Sequence, residues 1–218
     1  MTYRFQDVEV TWLGHDSFRI KRDVVIYIDP YQIKGGPPAD VVLVSHDHFD
    51  HLSIDDLKKI VTDKTVIVAA KHCESQLKKL GKGVLKLVSP GESVSVGNVK
   101  VDAVPAYNVN KFREPGKVFH PKEYGGVGFV LRIGNVSIYH AGDTDFIPEM
   151  KKLKVDIALL PVSGTYVMTA KEAVEAATTI KPKVAIPMHY GAIVGSEKDA
   201  EDFKRLYGGE TVILKQEQ

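Results

Sequence analysis

Between His46 and His51 the chain places three imidazoles and two carboxylates, in the run Ser45-His46-Asp47-His48-Phe49-Asp50-His51-Leu52-Ser53. The run follows Val41-Val42-Leu43-Val44, a continuous apolar stretch of the kind that forms a strand buried on both faces. Side chains two apart on an extended segment point the same way, so His46 and His48 can meet one ion. Asp50 and His51, at the turn into a helix that Ser53 can cap, can swing toward a second ion. Nitrogen and oxygen donors without sulfur suit zinc first, with manganese, iron or nickel also compatible. Cys73 is the single cysteine, which excludes an internal disulfide and a thiolate-rich metal site.

Other residues with usable chemistry sit at comparable places. Asp143 follows an apolar run and Gly142, whose freedom lets the backbone turn tightly and present a carboxylate. His189 ends the run Val184–Met188. Asp29 ends another, where a buried carboxylate can bond loop amides and a ligand histidine. His15 follows Gly14 at a strand end, as a substrate-contacting or proton-transferring group or as a structural hydrogen-bonding one. His72 reads as a surface residue at a helix start, and Tyr166 as a loop residue beside the site or in packing. Lys111, Arg113, Lys117 and Lys122 cluster between Asn108 and Gly126. They could hold an anionic substrate, although a solvated basic loop has the same composition.

The segment His46-x-His48-x-Asp50-His51 resembles the signature of the metallo-β-lactamase superfamily, and the resemblance extends over nearly the whole chain. Ile28-Asp29-Pro30 looks like the superfamily's strand-end aspartate, which supports the metal loop. Ala141-Gly142-Asp143 resembles the motif whose carboxylate bridges two metals, and Pro187-Met188-His189 the late histidine ligand. Gly14-His15, Ile28-Asp29-Pro30 and the compact length are most similar to the branch containing the L-ascorbate-phosphate lactonase. One position departs. Where that branch has Pro-Ala-x-His, this chain has Pro105-Ala106-Tyr107-Asn108, and the expectation is that the loop folds back so that His120 replaces the missing ligand. The resemblance then implies two divalent ions on His46, His48, Asp50, His51, His120, Asp143 and His189. A metal-bound hydroxide would act on a small, anionic ester, lactone or phosphodiester, with Asp50, Asp143 and His15 as catalytic residues. A di-iron oxidoreductase or a non-catalytic binding module on the same fold are the competing readings. Flavin-linked members of the superfamily typically carry glutamate at the position of His48, so the histidine favours hydrolysis.

The elements that must position these groups alternate between short β-runs and amphipathic helices. Val8–Leu13, Ser17–Ile20, Val24–Ile28, Val41–Ser45, Thr65–Ala69, Val84–Val88, Ser93–Val96 and Val99–Val104 read as strands. Val127–Ile133 and Val136–His140 flank Gly134-Asn135, a favoured two-residue hairpin turn. Helices are expected from Ser53 to about Val61, before Gly81, from a Thr169/Glu172 capping box to Ile180, and from Ser196 to Gly208, with a closing strand at Thr211–Leu214. The second half echoes the first: Val25–Ile28 leading to Asp29, Asp40–Val44 and the run before His72 correspond to Ser137–His140, Asp156–Leu160 and the run before His189. Together with the resemblance, this predicts an α/β fold, an αββα sandwich of two β-sheets flanked by helices, in a single domain over residues 1–218.

Bulk composition narrows the partners. The 218 residues, 44% hydrophobic and 26% charged, suffice for one well-buried core. A net charge of +1 without a basic stripe disfavours a long nucleic acid and favours a small-molecule substrate. Apolar runs stop far short of the ~20 residues that span a bilayer, and Met1–Val10 lacks a signal-peptide pattern, so a cytoplasmic protein without membrane attachment is expected. A homo-oligomer, with the 108–126 loop covering its own site or a neighbour's, is compatible with the residue order.

Overall fold

Apolar strand runs and amphipathic helices sort into layers in the computed structural model, which describes residues 2–217. The first sheet has seven strands in chain order: β1 (Thr2–Phe5), β2 (Val8–Gly14), β3 (Ser17–Lys21), β4 (Val25–Ile28), β5 (Val41–Val44), β6 (Val66–Ala70) and β7 (Val84–Val88). Strands β1 to β4 pair antiparallel, and β4 to β7 pair parallel. The second sheet holds β8 (Ser93–Val96), β9 (Val99–Pro105), β12 (Val127–Ile133), β13 (Val136–His140), β14 (Ile157–Pro161) and β15 (Val184–Met188) in the order β15-β14-β13-β12-β9-β8. Between them, β10 (Phe112–Glu114) and β11 (Lys117–Val118) form a small separate hairpin.

The internal echo has a structural counterpart. In one sheet an antiparallel β3–β4 pair is followed by parallel β5 and β6; in the other an antiparallel β12–β13 pair is followed by parallel β14 and β15. All residues of β5, β14 and β15 are buried, as expected for strands covered on both faces. Helices α1 (Ile54–Ile60) and α2 (Glu74–Leu77) accompany the first sheet. Helices α3 (Ala170–Ile180) and α4 (Glu197–Leu206) touch each other and lean on β14 and β15. One apolar cluster joins residues of both sheets, from Val8 to Leu214. The result is the αββα sandwich.

Local signals act where expected. Ser53 Oγ accepts from the Asp56 amide at the start of α1, and Thr169 and Glu172 complete their capping box. Two differences concern the edges. Strand β1 was not anticipated, because its side chains are only half-buried or exposed at the rim of the sheet. The expected strand at Thr211–Leu214 makes a single bridge, Thr211 to Ala185, and the chain then crosses to the other sheet, where the Glu217 amide donates to the Trp12 carbonyl.

Candidate metal centre

The parallel strands β4, β5, β13 and β15 deliver Asp29, the His46–His51 loop, Asp143 and His189 from their C-terminal ends into one region between the sheets. Sharp turns there are enforced by backbone geometry. Gly142 has φ +63°, and a Cβ on it would lie 2.8 Å from the Val127 carbonyl oxygen. His15, Asp29, Tyr166 and His189 take positive φ despite their side chains, a conformation that costs energy and that packed surroundings must hold in place.

Two groups of ligand-type atoms converge. In the first, His46 Nε2 lies 3.1 Å from His48 Nδ1, and His120 Nε2 lies 3.2 Å from the same atom. Asp143 Oδ2 is 3.4 Å from His120 Nε2 and 3.9 Å from His46 Nε2. In the second, Asp143 Oδ1 is 3.2 Å from His51 Nε2 and 3.5 Å from His189 Nε2. A tetrahedral ion with bonds of ~2.0–2.1 Å separates its ligand atoms by about 3.3 Å, close to these spacings. Asp143 turns one oxygen to each group, the geometry of a bridging carboxylate. Burial leaves His51 Nε2, His189 Nε2 and Asp143 Oδ1 without any hydrogen-bond partner, a set of orphans that a cation would satisfy. The residues present therefore fit divalent ions.

Hydrogen bonds behind each ring aim the ligand nitrogens. His51 Nδ1 donates to Asp29 Oδ2 at 2.8 Å, leaving Nε2 free. Asp29 also accepts from the Ser45 amide at 2.8 Å and the Ser45 hydroxyl at 2.5 Å. That hydroxyl, its proton committed to Asp29, accepts from His46 Nδ1 at 3.0 Å. Ser163 Oγ lies 2.9 Å from His189 Nδ1. Because Asp29 satisfies three buried donors, Asp29→Ala should cost about 2 kcal/mol of stability in the metal-free protein. Urea denaturation of the two chelator-treated proteins checks this.

His120 comes from the 108–126 loop, and Asn108 is what places it. Asn108 Nδ2 donates to the Tyr166 carbonyl at 2.8 Å and to Asp145 Oδ1 at 3.2 Å, which fixes the amide's orientation. Its Oδ1 therefore faces His120 and accepts from both the backbone amide and Nδ1 at 2.9 Å. Nδ1 carries the proton, and Nε2 is presented to the first group. Asp145 Oδ2 anchors the loop base by accepting from the Val109 and Asn110 amides.

Charge balance separates the two groups. Burial holds His46 well below the ordinary imidazole range, and burial pushes His120 down to about 4, so both rings are neutral, as ligands must be. Burial also lowers His189, but the Asp143 and Asp16 carboxylates outweigh it and raise the ring to about 9. The same contest, with Asp143 and Asp29, lifts His51 well above its usual value. Burial raises Asp143, yet the neighbouring His51 and His189 bring it well below the carboxylate range.

The remaining candidates fall into place around these groups. His15 is buried, since Gly14 (φ +112°) and His15 itself (φ +50°) turn the chain inward; its Nε2 lies 3.1 Å from Asp50 Oδ2. Asp50 Oδ2 is also 3.7 Å from His51 Nε2, and the residue faces the cavity above Asp143. Sequence reasoning passed over Asp16, which is fully buried with both carboxylate oxygens unpartnered and Oδ2 3.7 Å from His51 Nε2. The only sequence signal for it was adjacency to His15. His72 is half-buried and stacks on Tyr124, and His140, the remaining histidine, donates to the Asp16 carbonyl in the core. Three of the four basic loop residues are paired: Lys111 with Glu172, Lys117 with Glu114, and Lys122 with Glu149.

The chain is similar to known proteins over most of its length. The family model of the beta-lactamase superfamily domain matches residues 9–189. A protein of Methanopyrus kandleri named UPF0173 metal-dependent hydrolase is 35% identical over 216 residues, covering 91% of this chain and 90% of its own. A crystal structure from Parabacteroides distasonis, whose assignment as a metal-dependent hydrolase is provisional, superposes with TM-score 0.82 at 32% identity, covering 100% of this chain and 98% of that one. The di-iron β-hydroxylase CmlA of Streptomyces venezuelae has TM-score 0.75 at 17% identity over 98% of this chain and 54% of its own, a likeness of fold alone.

Proposed function

We propose, from the premise that this chain belongs to the metallo-β-lactamase superfamily, that it is a metal-dependent hydrolase of small esters, lactones or phosphodiesters. The observation that carries this reading is Asp143 itself, whose Oδ2 lies 3.4 Å from His120 Nε2 while its Oδ1 lies 3.2 Å from His51 Nε2 and 3.5 Å from His189 Nε2; His15 and Asp16 lie beside His51 and His189 as further donors. His46, His48, His120 and Asp143 would hold one divalent ion. His51, His189 and Asp143, with Asp50 within reach, would hold the second. Zinc suits this donor set best, and iron, manganese or nickel are alternatives.

Such ions supply Lewis acidity toward the scissile group and bring the pKa of a water to near neutrality. The chain's own residues do the rest. Burial raises Asp50, but its bond to His15 and the nearby His51 outweigh that and keep it ionised. Its carboxylate can therefore accept a proton from an attacking water, while His15 Nε2 holds Oδ2 in position. The expected anionic preference of the substrate has little support in the loop, because Lys111, Lys117 and Lys122 are already paired. A single domain spanning residues 1–218 accounts for all these roles. No helix among the described residues is long and apolar enough to cross a membrane. The buried thiol of Cys73 suits a reducing compartment such as the cytoplasm.

Elemental analysis, paired with hydrolysis of bis-p-nitrophenyl phosphate, simple lactones and thioesters, tests the proposal. The expected result is about two metal equivalents per chain and turnover lost with chelator and restored with metal. Full activity in metal-free protein would overturn it.

A further inference from the structure

Among the described residues, large hydrophobic side chains left in solvent are few, and three of them share one place. Phe49 (65% exposed), Tyr166 (37%) and Ile193 (40%) come from three separate loops and line a single cavity of about 560 Å³ over the metal-binding region. Half-buried Phe119 joins them and packs edge-on to Tyr166, with ring centroids 4.6 Å apart. His48, Asp50, His120 and Asp143 form the cavity's polar floor. Phe49 is further propped by an edge contact with Tyr31. Keeping such residues exposed has a cost in solubility, so their convergence on the reactive groups marks a recognition surface.

Apart from the ions the site would hold, the side chains offer an anion no anchor. No lysine or arginine lines this cavity; its charged lining residues other than histidine are Asp47, Asp50 and Asp143. The basic loop residues Arg113, Lys117 and Lys122 line a neighbouring groove, and there Glu123 and the ion-pair partners Glu114 and Glu149 match their three charges with three of opposite sign. Lys111 is bound to Glu172 and Asp145. With those partners counted, neither lining carries an excess of basic side chains.

We propose that the substrate carries a neutral apolar group, an aryl ring or a medium alkyl chain, beside the bond that is cleaved, and that Phe49, Phe119, Tyr166 and Ile193 hold it. This rests on the hydrolase reading for the cleaved bond, while the binding of the apolar group is separable from turnover. The cavity is large enough for such a group, and each methylene it buries adds affinity.

Calorimetric binding of three hydroxamates to the metal-loaded protein tests this without requiring hydrolysis. Hexanohydroxamate should bind about tenfold more tightly than acetohydroxamate, and a hydroxamate of equal length ending in a carboxylate should gain nothing. Phe49→Ala with Ile193→Ala should bring the alkyl advantage below about threefold; both positions are exposed, so the fold tolerates the change. Equal affinities for the two alkyl chains, or a preference for the carboxylate-ended one, would overturn the apolar subsite and leave the hydrolase reading standing. Selective hexanohydroxamate binding by a protein that hydrolyses nothing would support the subsite and count against the hydrolase. Absence of binding by all three would overturn the subsite and, because the bound metal would then be closed to ligands, count against the hydrolase reading as well.

Discussion

Replacing Asp143 with alanine should reduce metal content from about two equivalents to one or fewer and lower kcat/KM by about 10³-fold or more. The size follows from the several kcal/mol that a metal centre contributes to a hydrolytic transition state, at ~1.4 kcal/mol per decade of rate. Asp143 faces both ligand groups at once: Oδ2 is 3.4 Å from His120 Nε2, and Oδ1 is 3.2 Å from His51 Nε2. The same substitution changes the proton balance. In the metal-free protein, burial lowers His189 but Asp143 and Asp16 raise it to about 9, so the ring is protonated at neutral pH. A metal must displace that proton, so binding at pH 7 should release protons and apparent affinity should climb with pH toward about 9. Without Asp143 the ring loses its largest raising influence, and proton release should shrink. Calorimetry in buffers of different protonation enthalpy reads both quantities. Wild-type affinity that falls as pH rises from 6 to 8 would contradict the assignment.

The strands, helices and clustered polar residues are legible in local pattern, while the two-sheet sandwich and the candidate ligand set also needed the resemblance to the superfamily. Runs such as Val41–Val44 and Val184–Met188 are apolar throughout, as strands covered on both sides must be, and polar residues at their ends have nowhere to go but the sheet ends. What escaped depended on contacts between distant residues. For the basic loop an anion site and a solvated face both stayed open, because its counter-ions, Glu149 and Glu172, lie in other parts of the chain. Asp16 escaped because two consecutive positive φ values, at Gly14 and His15, decide that the chain turns inward there. The apolar rim was equally invisible: Phe49, Phe119, Tyr166 and Ile193 share no period and meet only where loops from both halves converge.

Asn108 is the clearest case of a residue whose role reverses once its contacts are known. Read in sequence, it is the asparagine that stands in place of a ligand histidine. In the structure its Oδ1 takes two hydrogen bonds from His120, while its Nδ2 is held by Asp145 and the Tyr166 carbonyl, so it aims the histidine that reaches the first group in its stead. Asn108→Ala should therefore weaken one of the two metal sites by roughly 10- to 100-fold and leave the other nearly unchanged. Asn108→Asp should not rescue it, because a second carboxylate oxygen would face Asp145 and the Tyr166 carbonyl where the amide now donates. His120→Ala should weaken the same site at least as much. The two positions should then fail additivity. With His120 truncated to alanine, space opens for a longer side chain at 108, and Asn108→His in that background should recover part of the lost affinity. Metal titration of the wild type, Asn108→Ala, His120→Ala and the double alanine variant with a competing chelator gives the cycle. Purely additive losses across it would mean that Asn108 and His120 serve the metal region separately, and the swapped-ligand geometry would have to be abandoned.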